Sequence, residues 1–245
     1  NQKTAGENMA RADINLAGNQ LNLVKQLYNT SIPIIVVYVN GKPIAEPWID
    51  TNIPAIIEAW EPGSIGGQAV GEIIFGDINP SGKLPVTFPR SVGQLQMIYN
   101  HKPSQYFKQY AFEKVTPLYP FGYGLSYSDF VYENLEVLNN NNQSITISVD
   151  ITNNSDIDGE EIVQVYFNDI VSSVTRPIKE LVDYKRVLIK SNKTKNVIFD
   201  IPVNKLSFYD INMKQCVESG EFSFMVGPSS NSSDLLSKNI YVKGK

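Results

Sequence analysis

Few residues of this 245-residue chain combine a reactive side chain with an informative spacing. The sequence has one histidine, His101, and one cysteine, Cys216, which are too few for the usual zinc ligand sets. A Ser-His-Asp site would need His101, and no Gly-x-Ser-x-Gly elbow accompanies it. We therefore expect His101 to be a loop residue near the domain junction and Cys216 to be a small, buried apolar residue without a disulfide partner. Neither a metal nor a cofactor is predicted.

The segment GDINPSGKL, residues 76–84, has the glycines and the lysine of a phosphate-binding loop but not its spacing. Such loops have the pattern G-x-x-x-x-G-K-[ST]. Here five residues separate Gly76 from Gly82, and Leu84 replaces the hydroxyl residue that would hold magnesium. Pro80 also removes an N–H donor. A nucleotide is therefore not expected. The net charge of −4 also argues against a nucleic-acid partner, which would need a basic patch.

Carboxylates remain as candidate reactive groups, and Glu7 has the most notable setting. It follows a glycine and precedes Arg11 by four positions in the sequence GENMAR. Spacing alone does not distinguish a catalytic Glu7 from a solvated charge.

The first half of the chain has the pattern of an α/β domain. Residues 16–28 show helical spacing, and residues 34–39 are a β-branched run typical of a strand buried on both faces. Residues 55–60 predict a second buried strand, residues 68–75 a helix, and residues 84–88 a further strand. Strands and helices that alternate with short connections predict a mostly parallel sheet covered by helices.

From about Phe130 the hydrophobic period changes from helical spacing to two. Apolar and polar residues alternate in several short runs separated by turn residues, at 144–153, 162–169, 197–202 and 221–227. This pattern predicts an antiparallel β-sandwich of the immunoglobulin or fibronectin type III kind. Arg176 and Lys179 are predicted to lie on an edge strand or loop of this sandwich as solvated charges.

Two long motifs resemble glycoside hydrolase family 3. One has the pattern Ala-Trp-Glu-Pro-Gly-x-x-Gly-Gly at 59–67, continued by Phe-Gly-Asp-x-Asn-Pro-Ser-Gly-Lys-Leu-Pro-x-Thr-Phe-Pro at 75–89. The other is YPFGYGLSY at 119–127. The resemblance covers essentially the whole chain. It implies a partial α/β/α sandwich domain at 1–128, followed by an immunoglobulin-like, fibronectin type III-like β-sandwich at 129–245.

The resemblance also implies an activity. Members of the family are mostly retaining β-glucosidases and related exo-glycosidases that remove terminal non-reducing sugars. Their nucleophile is an aspartate on an N-terminal (β/α) barrel, and their general acid/base is usually a glutamate on a loop of the second domain. Glu7, in its Glu-x-x-x-Arg setting, is similar to that glutamate. A general acid must be protonated, and an arginine in contact with Glu7 would favour its ionised form. We therefore expect Arg11 to bind another partner, such as Asp13 or a backbone carbonyl.

A (β/α) barrel has eight strand-helix units, which this chain has no room for. We therefore expect the chain to be the C-terminal portion of a larger enzyme and to be inactive alone. The expected partners are the barrel domain and a β-glucoside or oligosaccharide substrate. A membrane is not expected, because no apolar run approaches the ~20 residues that span a bilayer. The alternative is a non-catalytic module that binds carbohydrate or stabilises an interface.

Two tryptophans are the aromatic candidates for sugar stacking. Trp60 precedes Pro62 and Gly63, and we expect it to pack under that turn. Trp48 either packs or lines the edge of a substrate-binding subsite, and it is kept as a candidate substrate-binding residue. A secreted, lysosomal or periplasmic location is also expected. Asn-x-Ser/Thr sequons permit a secretory route, and they begin at Asn29, Asn142, Asn153, Asn192 and Asn231.

Overall fold

The computed structural model describes residues 11–94, 96–103, 110–141 and 143–244. The described residues divide into two units, and each is presented by itself. The first unit contains residues 11–78, 86–94, 96–97 and 110–119, and the second contains residues 79–85, 98–103, 120–141 and 143–244. The units alternate along the chain between residues 79 and 119. The division after residue 128 therefore stays a proposal.

The first unit is built around a parallel sheet of two strands, β1 (Ile35–Tyr38) and β2 (Ala55–Glu58). Its helices are α1 (Gln20–Tyr28), α2 (Pro47–Asn52) and α3 (Gly66–Phe75). The predicted α/β class and the parallel pairing are thus confirmed. The core of the unit joins the sheet to α1 and α2 through buried or partly buried apolar side chains, among them Val36, Tyr38, Ile56, Leu21, Val24, Ile49 and Ile53.

Local sequence explains where two of the helices begin and end. Helix α3 ends at Gly76, whose φ of +83° is the left-handed conformation that glycine adopts readily at a helix C-terminus. Helix α2 begins with Pro47, which has no N–H to lose in the first turn. The spacing does not predict α2, because six residues are too few to establish a helical period.

The strand predicted at 84–88 does not form a ladder. In the described part of the chain, this stretch makes only an isolated antiparallel bridge, between Phe88 and Tyr119. Pro85 and the residue after Phe88, Pro89, have no N–H groups and cannot donate to a ladder. Phe88 is instead a buried packing residue, and its ring lies 5.8 Å from the ring of Trp60 in an edge-to-face contact. The expectation that Trp60 packs is therefore confirmed.

The second unit is an antiparallel β-sandwich, as predicted. Its sheets have the strand orders β11-β10-β5-β6 and β3-β4-β7, and a short β8-β9 pair lies outside both. Side chains from both sheets form one core. The strands are β3 (Phe130–Asn140), β4 (Ser144–Asn153), β5 (Gly159–Asp169), β6 (Glu180–Ile189), β7 (Lys193–Pro202), β8 (Phe208–Tyr209), β9 (Gln215–Cys216), β10 (Gly220–Gly227) and β11 (Leu236–Val242).

Arg176 and Lys179 are buried, so the prediction that they are solvated charges is wrong. Arg176 donates to Asp169 at 3.2 Å, and its guanidinium lies about 5 Å from the ring centroids of Phe167 (5.1 Å) and Phe208 (4.8 Å). An arginine is tolerated here because its charge is paired and its flat faces contact aromatic rings.

Lys179 is buried for a different reason, because its ammonium group is held by oxygen acceptors. It donates to the carbonyl oxygen of Ser230 at 2.7 Å and to the hydroxyl of Ser232 at 2.6 Å. Burial lowers the pKa of Lys179. Both acceptors are more than fifty positions away, so local sequence gives no sign of them.

The Asn-Pro-Ser-Gly-Lys motif binds the β-sandwich through its first and last residues. Asn79 donates to the hydroxyl of Ser128 (2.9 Å) and to the carbonyl oxygen of Asp158 (3.0 Å). Its own side-chain oxygen accepts hydrogen bonds from the Ser126 hydroxyl and the Tyr127 N–H, both at 2.8 Å. The amide of Asn79 is therefore fully engaged in structure.

Lys83, at the other end of the motif, pairs with a buried carboxylate. Its ammonium nitrogen lies 3.2 Å from Oε2 of Glu161 and donates to the carbonyl oxygen of Gly124 at 2.8 Å. The lysine that resembles a phosphate-loop lysine in the sequence thus neutralises Glu161.

Candidate functional site

Glu7, the predicted general acid/base, lies outside the described residues, which begin at Arg11. Arg11 donates through Nη2 to Oδ1 of Asp13 at 2.6 Å and to the carbonyl oxygen of Asn15 at 2.9 Å. Oδ1 of Asp13 also accepts the N–H of Asn15 at 3.2 Å. The prediction that Arg11 binds Asp13 or a backbone carbonyl is confirmed, with both partners present.

Residues 11–16, which we call the N-terminal loop, are bound to residues 42–46, which we call the anchor segment. The contact joins parts of the chain about thirty positions apart. Four hydrogen bonds connect them: Lys42 Nζ to Asp13 O (2.9 Å), Ala45 N to Ile14 O (2.9 Å), Asn15 Nδ2 to Ala45 O (2.6 Å) and Leu16 N to Glu46 Oε1 (2.8 Å). Both backbone and side-chain groups therefore fix the loop.

The anchor segment lies between the end of β1 and the start of α2. Asn40 follows β1, and its side-chain oxygen accepts the N–H of Lys42 at 3.2 Å. Its side-chain nitrogen donates to Oε2 of Glu58 at 3.2 Å, and Oε1 of Glu58 accepts the N–H of Trp60 at 3.0 Å. Trp60 has a φ of +52°, so the carboxylate of Glu58 stabilises a strained turn. Burial raises the pKa of Glu58, and these two hydrogen bonds oppose the rise.

Tyr38, at the carboxyl end of β1, lies near three acidic side chains. Its side chain is buried in the core, and Glu46, Glu58 and Asp50 are close enough to act on its hydroxyl electrostatically. Burial raises the pKa of Tyr38 well above its ordinary value, and the three negative charges add to the rise. The hydroxyl therefore stays protonated at neutral pH and can donate a hydrogen bond at this end of the sheet.

Trp48, the predicted substrate-binding residue, lies on α2 directly after the anchor segment. Its ring makes an edge-to-face contact with Tyr28 at 5.5 Å, and the ammonium of Lys25 lies 5.1 Å from its centroid. The side chain is partly buried against the core of the first unit. These contacts hold the ring in place, and its role toward a substrate stays a prediction.

The remaining reactive side chains do not assemble into a second site within the described ranges. There, no group of three or more His, Cys, Asp or Glu side chains could hold a metal ion. His101 lies in a loop, and its carbonyl oxygen accepts the N–H of Ile178 at 2.9 Å. Cys216 is half-buried on β9. Of the helices that the structure describes, none is long and apolar enough to cross a membrane.

Sequence reasoning missed Glu46, which is 5% exposed and holds the N-terminal loop. A weak signal was present. Glu46 precedes Pro47, and proline is common at the first position of a helix. The long-range partner, the N–H of Leu16, has no such signal.

Comparisons with known proteins assign both halves of the chain to families. A family model described as the glycosyl hydrolase family 3 C-terminal domain matches residues 1–127. A second model, described as a fibronectin type III-like domain, matches residues 161–230.

Individual relatives agree with these matches. A β-xylosidase of Formosa agariphila is 41% identical over 98% of this chain and 34% of its own length. A periplasmic β-glucosidase of Salmonella typhimurium is 37% identical over 94% of the chain and 32% of its length. The solved structure of a Listeria innocua β-glucosidase in complex with glucose has a TM-score of 0.90 at 32% identity, covering 98% of this chain and 35% of its own. The chain spans about a third of the length of the curated relatives it matches.

Proposed function

Because the chain belongs to glycosyl hydrolase family 3, we propose that it forms part of a retaining, exo-acting β-glucosidase. The enzyme hydrolyses terminal non-reducing β-D-glucosyl residues of glucosides or oligosaccharides. The match to the family's C-terminal domain over residues 1–127 is the observation that carries this proposal. Relatives named β-glucosidase or β-xylosidase support glycosidase chemistry.

In this proposal Glu7 is the general acid/base. It begins the Glu-x-x-x-Arg pattern that ends at Arg11. The support from the described residues is indirect: the guanidinium of Arg11 is taken up by Asp13 and the Asn15 carbonyl. Arg11 thus has partners other than a carboxyl that must be protonated to act as an acid.

The nucleophile is an aspartate on a separate (β/α) barrel, which the chain would meet in the full-length enzyme. Retaining hydrolysis needs the two carboxyl groups about 5–5.5 Å apart. The isolated chain is then inactive, because it contributes only one of the two. The support for a longer enzyme is that the chain spans about a third of its relatives.

Two displacements complete the reaction. In the first, the aspartate attacks the anomeric carbon, the glycosidic C–O bond breaks, and protonated Glu7 gives its proton to the leaving oxygen. In the second, the Glu7 carboxylate takes a proton from water while the water oxygen attacks the anomeric carbon and releases the aspartate. The negative nucleophile keeps Glu7 protonated at first, and its esterification lets Glu7 ionise in time to act as base.

Replacement of Glu7 in the full-length enzyme tests this assignment. Glu7→Ala should lower kcat/KM for phenyl β-glucoside by about 10²–10⁴-fold, which is the usual contribution of general acid catalysis. It should affect 2,4-dinitrophenyl β-glucoside far less, because that leaving group departs without protonation. Azide should rescue turnover of the activated substrate and yield β-glucosyl azide. Glu136→Ala, at an exposed position on β3, is the control. Equal losses on both substrates would refute the role.

A second candidate function is a non-catalytic carbohydrate-binding module, and one feature of the sandwich favours it. An open groove of about 670 Å³ is lined by Asn140, Asn141, Gln143, Tyr241 and Lys243. Nδ2 of Asn140 already donates to the carbonyl oxygen of Tyr241, and Oδ1 of Asn141 accepts two backbone N–H groups. The remaining amide groups can bind sugar hydroxyls, and Tyr241, which is 62% exposed, offers a stacking face.

Pull-down of the chain on insoluble β-glucan or xylan tests the second function. Tyr241→Ala should abolish retention, whereas Tyr209→Ala, an equally exposed tyrosine at 59%, should not. Equal retention of wild type and Tyr241→Ala would refute binding at this groove.

We also propose that the enzyme acts outside the cytosol, in a secreted, lysosomal or periplasmic location. The relative named as a periplasmic β-glucosidase supports this. The sequon at Asn153 adds no support. That side chain is fully buried and donates to the carbonyl oxygens of Ile157 and Ile189. Fractionation of cells that produce the full-length enzyme, followed by immunoblotting, tests the location.

A further inference from the structure

The N-terminal loop is only partly buried, yet it is hydrogen-bonded to the anchor segment from Asp13 to Leu16. Its four hydrogen bonds to the anchor segment include two from or to charged side chains, those of Lys42 and Glu46. Hydrogen bonds with an ionised partner are roughly twice as strong as neutral ones. Lys42 therefore holds the loop at Asp13, and Glu46 holds it at Leu16.

Glu46 is the least exposed charged residue among those that join the loop to the anchor segment. Its side chain is 5% exposed, and the adjacent Ala45 is fully buried. A buried carboxylate is costly unless its oxygens find donors, and Oε1 finds one in the N–H of Leu16 at 2.8 Å. Leu16 in turn packs against the core of the first unit, so its backbone is held from two sides.

The same residue connects the loop to the sheet. Glu46 immediately precedes α2 and belongs to the segment that leaves the carboxyl end of β1. Its carbonyl oxygen accepts the N–H groups of Ile49 and Asp50 in α2, at 2.9 and 3.2 Å. The backbone of Glu46 is thus fixed at the start of the helix, and a side chain fixed in this way is well suited to orient a neighbouring segment.

Glu7 is only four positions from Arg11, and four residues span at most about 14 Å. Along the sequence, the N-terminal loop is thus the described segment nearest to Glu7. A shift of about 1 Å at a catalytic group can cost 10²-fold in rate. The hydrogen bonds that fix the loop are for this reason relevant to the proposed chemistry.

We propose that Glu46, assisted by Lys42, is a positioning residue for the general acid/base, acting by fixing the N-terminal loop on the anchor segment. This inference rests on the proposed function. It assigns no contact with substrate to Glu46. Its effect is on the geometry of proton transfer, which matters most when the leaving group needs a proton.

Two variants of Glu46 and one control test the proposal in the full-length enzyme. Glu46→Met removes the acceptor at similar volume, and Glu46→Gln keeps an oxygen that can accept the Leu16 N–H. The control is Gln94→Met. Gln94 is 2% exposed in the same unit, and its Oε1 accepts the N–H of Arg90 at 2.8 Å, away from the loop.

The readout is kcat/KM for phenyl β-glucoside relative to 2,4-dinitrophenyl β-glucoside. Glu46→Met should lower the phenyl value by about 10–100-fold and the dinitrophenyl value by less than about threefold. Glu46→Gln should restore most of the phenyl value. Gln94→Met should change both substrates by the same factor, because a general loss of stability does not distinguish leaving groups.

Hydrogen exchange on the 245-residue chain gives a readout that needs no activity. Glu46→Met should speed exchange of the Leu16 amide and its neighbours, and Gln94→Met should not. If exchange speeds up in Glu46→Met but the two substrates fall equally, the loop is anchored without positioning the acid, and the inference is wrong. If exchange is unchanged, Glu46 is not an anchor. If Glu7→Ala itself fails to discriminate the substrates, the proposed function fails first.

Discussion

The ammonium nitrogen of Lys83 lies 3.2 Å from Oε2 of Glu161, and these side chains are 9% and 2% exposed. Oε1 of the same carboxylate accepts the hydroxyl of Tyr132 at 2.8 Å. Burial raises the pKa of Tyr132 well above its ordinary value, and the Glu161 charge adds to the rise. The carboxylate thus has a cation on one oxygen and a neutral donor on the other. This pair ties the Asn-Pro-Ser-Gly-Lys motif to the β-sandwich, with no part in the proposed chemistry.

Removal of the lysine should destabilise the sandwich strongly. Lys83→Met leaves a buried carboxylate without its cation, which typically costs about 3–5 kcal/mol. Chemical unfolding followed by far-UV circular dichroism measures the change. Both tryptophans lie in the first unit, so tryptophan fluorescence would not report this transition.

Two further variants complete the test of the pair. Lys190→Met removes an ion pair with Asp158 whose side chains are 65% and 45% exposed, and it should change stability far less. Adding Glu161→Leu to Lys83→Met should recover part of the loss, because the stranded charge is gone. A Lys83→Met protein as stable as Lys190→Met would show that the buried pair contributes little.

Lys179 predicts a pH dependence. Burial lowers the pKa of Lys179 below its ordinary value of 10.5, so the folded state binds fewer protons than the unfolded state in this window. Above pH 10.5 the amine of Lys179 is neutral in both states, so its burial has no charge penalty. As the pH falls through the folded pKa, the buried amine must take up a proton, and this stability is lost. The free energy of unfolding of wild type relative to Lys179→Met should therefore rise toward pH 10.5.

The comparison needs unfolding curves for wild type and Lys179→Met at several pH values from neutral to alkaline. Lys195→Met, an exposed position on β7, corrects for general charge effects. A difference between wild type and Lys179→Met that stays constant with pH, or that shrinks as the pH rises, would contradict the assignment.

Met213 predicts a stabilising substitution. It has a φ of +59° in the turn between β8 and β9, and its side chain is 76% exposed. The left-handed conformation costs a non-glycine residue about 1–2 kcal/mol. Glycine avoids this cost, but the greater freedom of glycine in the unfolded chain cancels part of the gain. Met213→Gly should therefore raise the melting temperature slightly, and Met213→Val, with a branched Cβ, should lower it. Calorimetry measures the melting temperatures of the wild type and of the two variants. If Met213→Val melts above the wild type and Met213→Gly below it, the turn relaxes to another conformation and the prediction is wrong.

Several features followed from local sequence because local physics decides them. The β-branched run before Asn40 predicts β1, and the period of two after Phe130 predicts the sandwich. The partners of Arg11 could be anticipated because a carboxylate stands two positions away. In these cases a short stretch of sequence contains the pattern that decides the local structure.

Other features did not follow, because their partners are distant in the sequence. Lys179 looks like a surface residue until Ser230 is brought to it. Glu46 looks like a helix-start residue until Leu16 donates to it from thirty positions away. The error at 84–88 has a different origin: the apolar residues suggested a strand, but prolines removed the N–H groups that a ladder needs.

The central claim is that this chain brings a general acid/base, Glu7, to a nucleophile carried elsewhere in the enzyme. Reconstitution tests it most directly. The purified 245-residue chain and a separately produced barrel portion are assayed on phenyl β-glucoside, alone and mixed. We predict no turnover by either alone, turnover by the mixture, and loss of that turnover when the chain carries Glu7→Ala. Hydrolysis by the purified chain alone, or an equally active Glu7→Ala mixture, would contradict the claim.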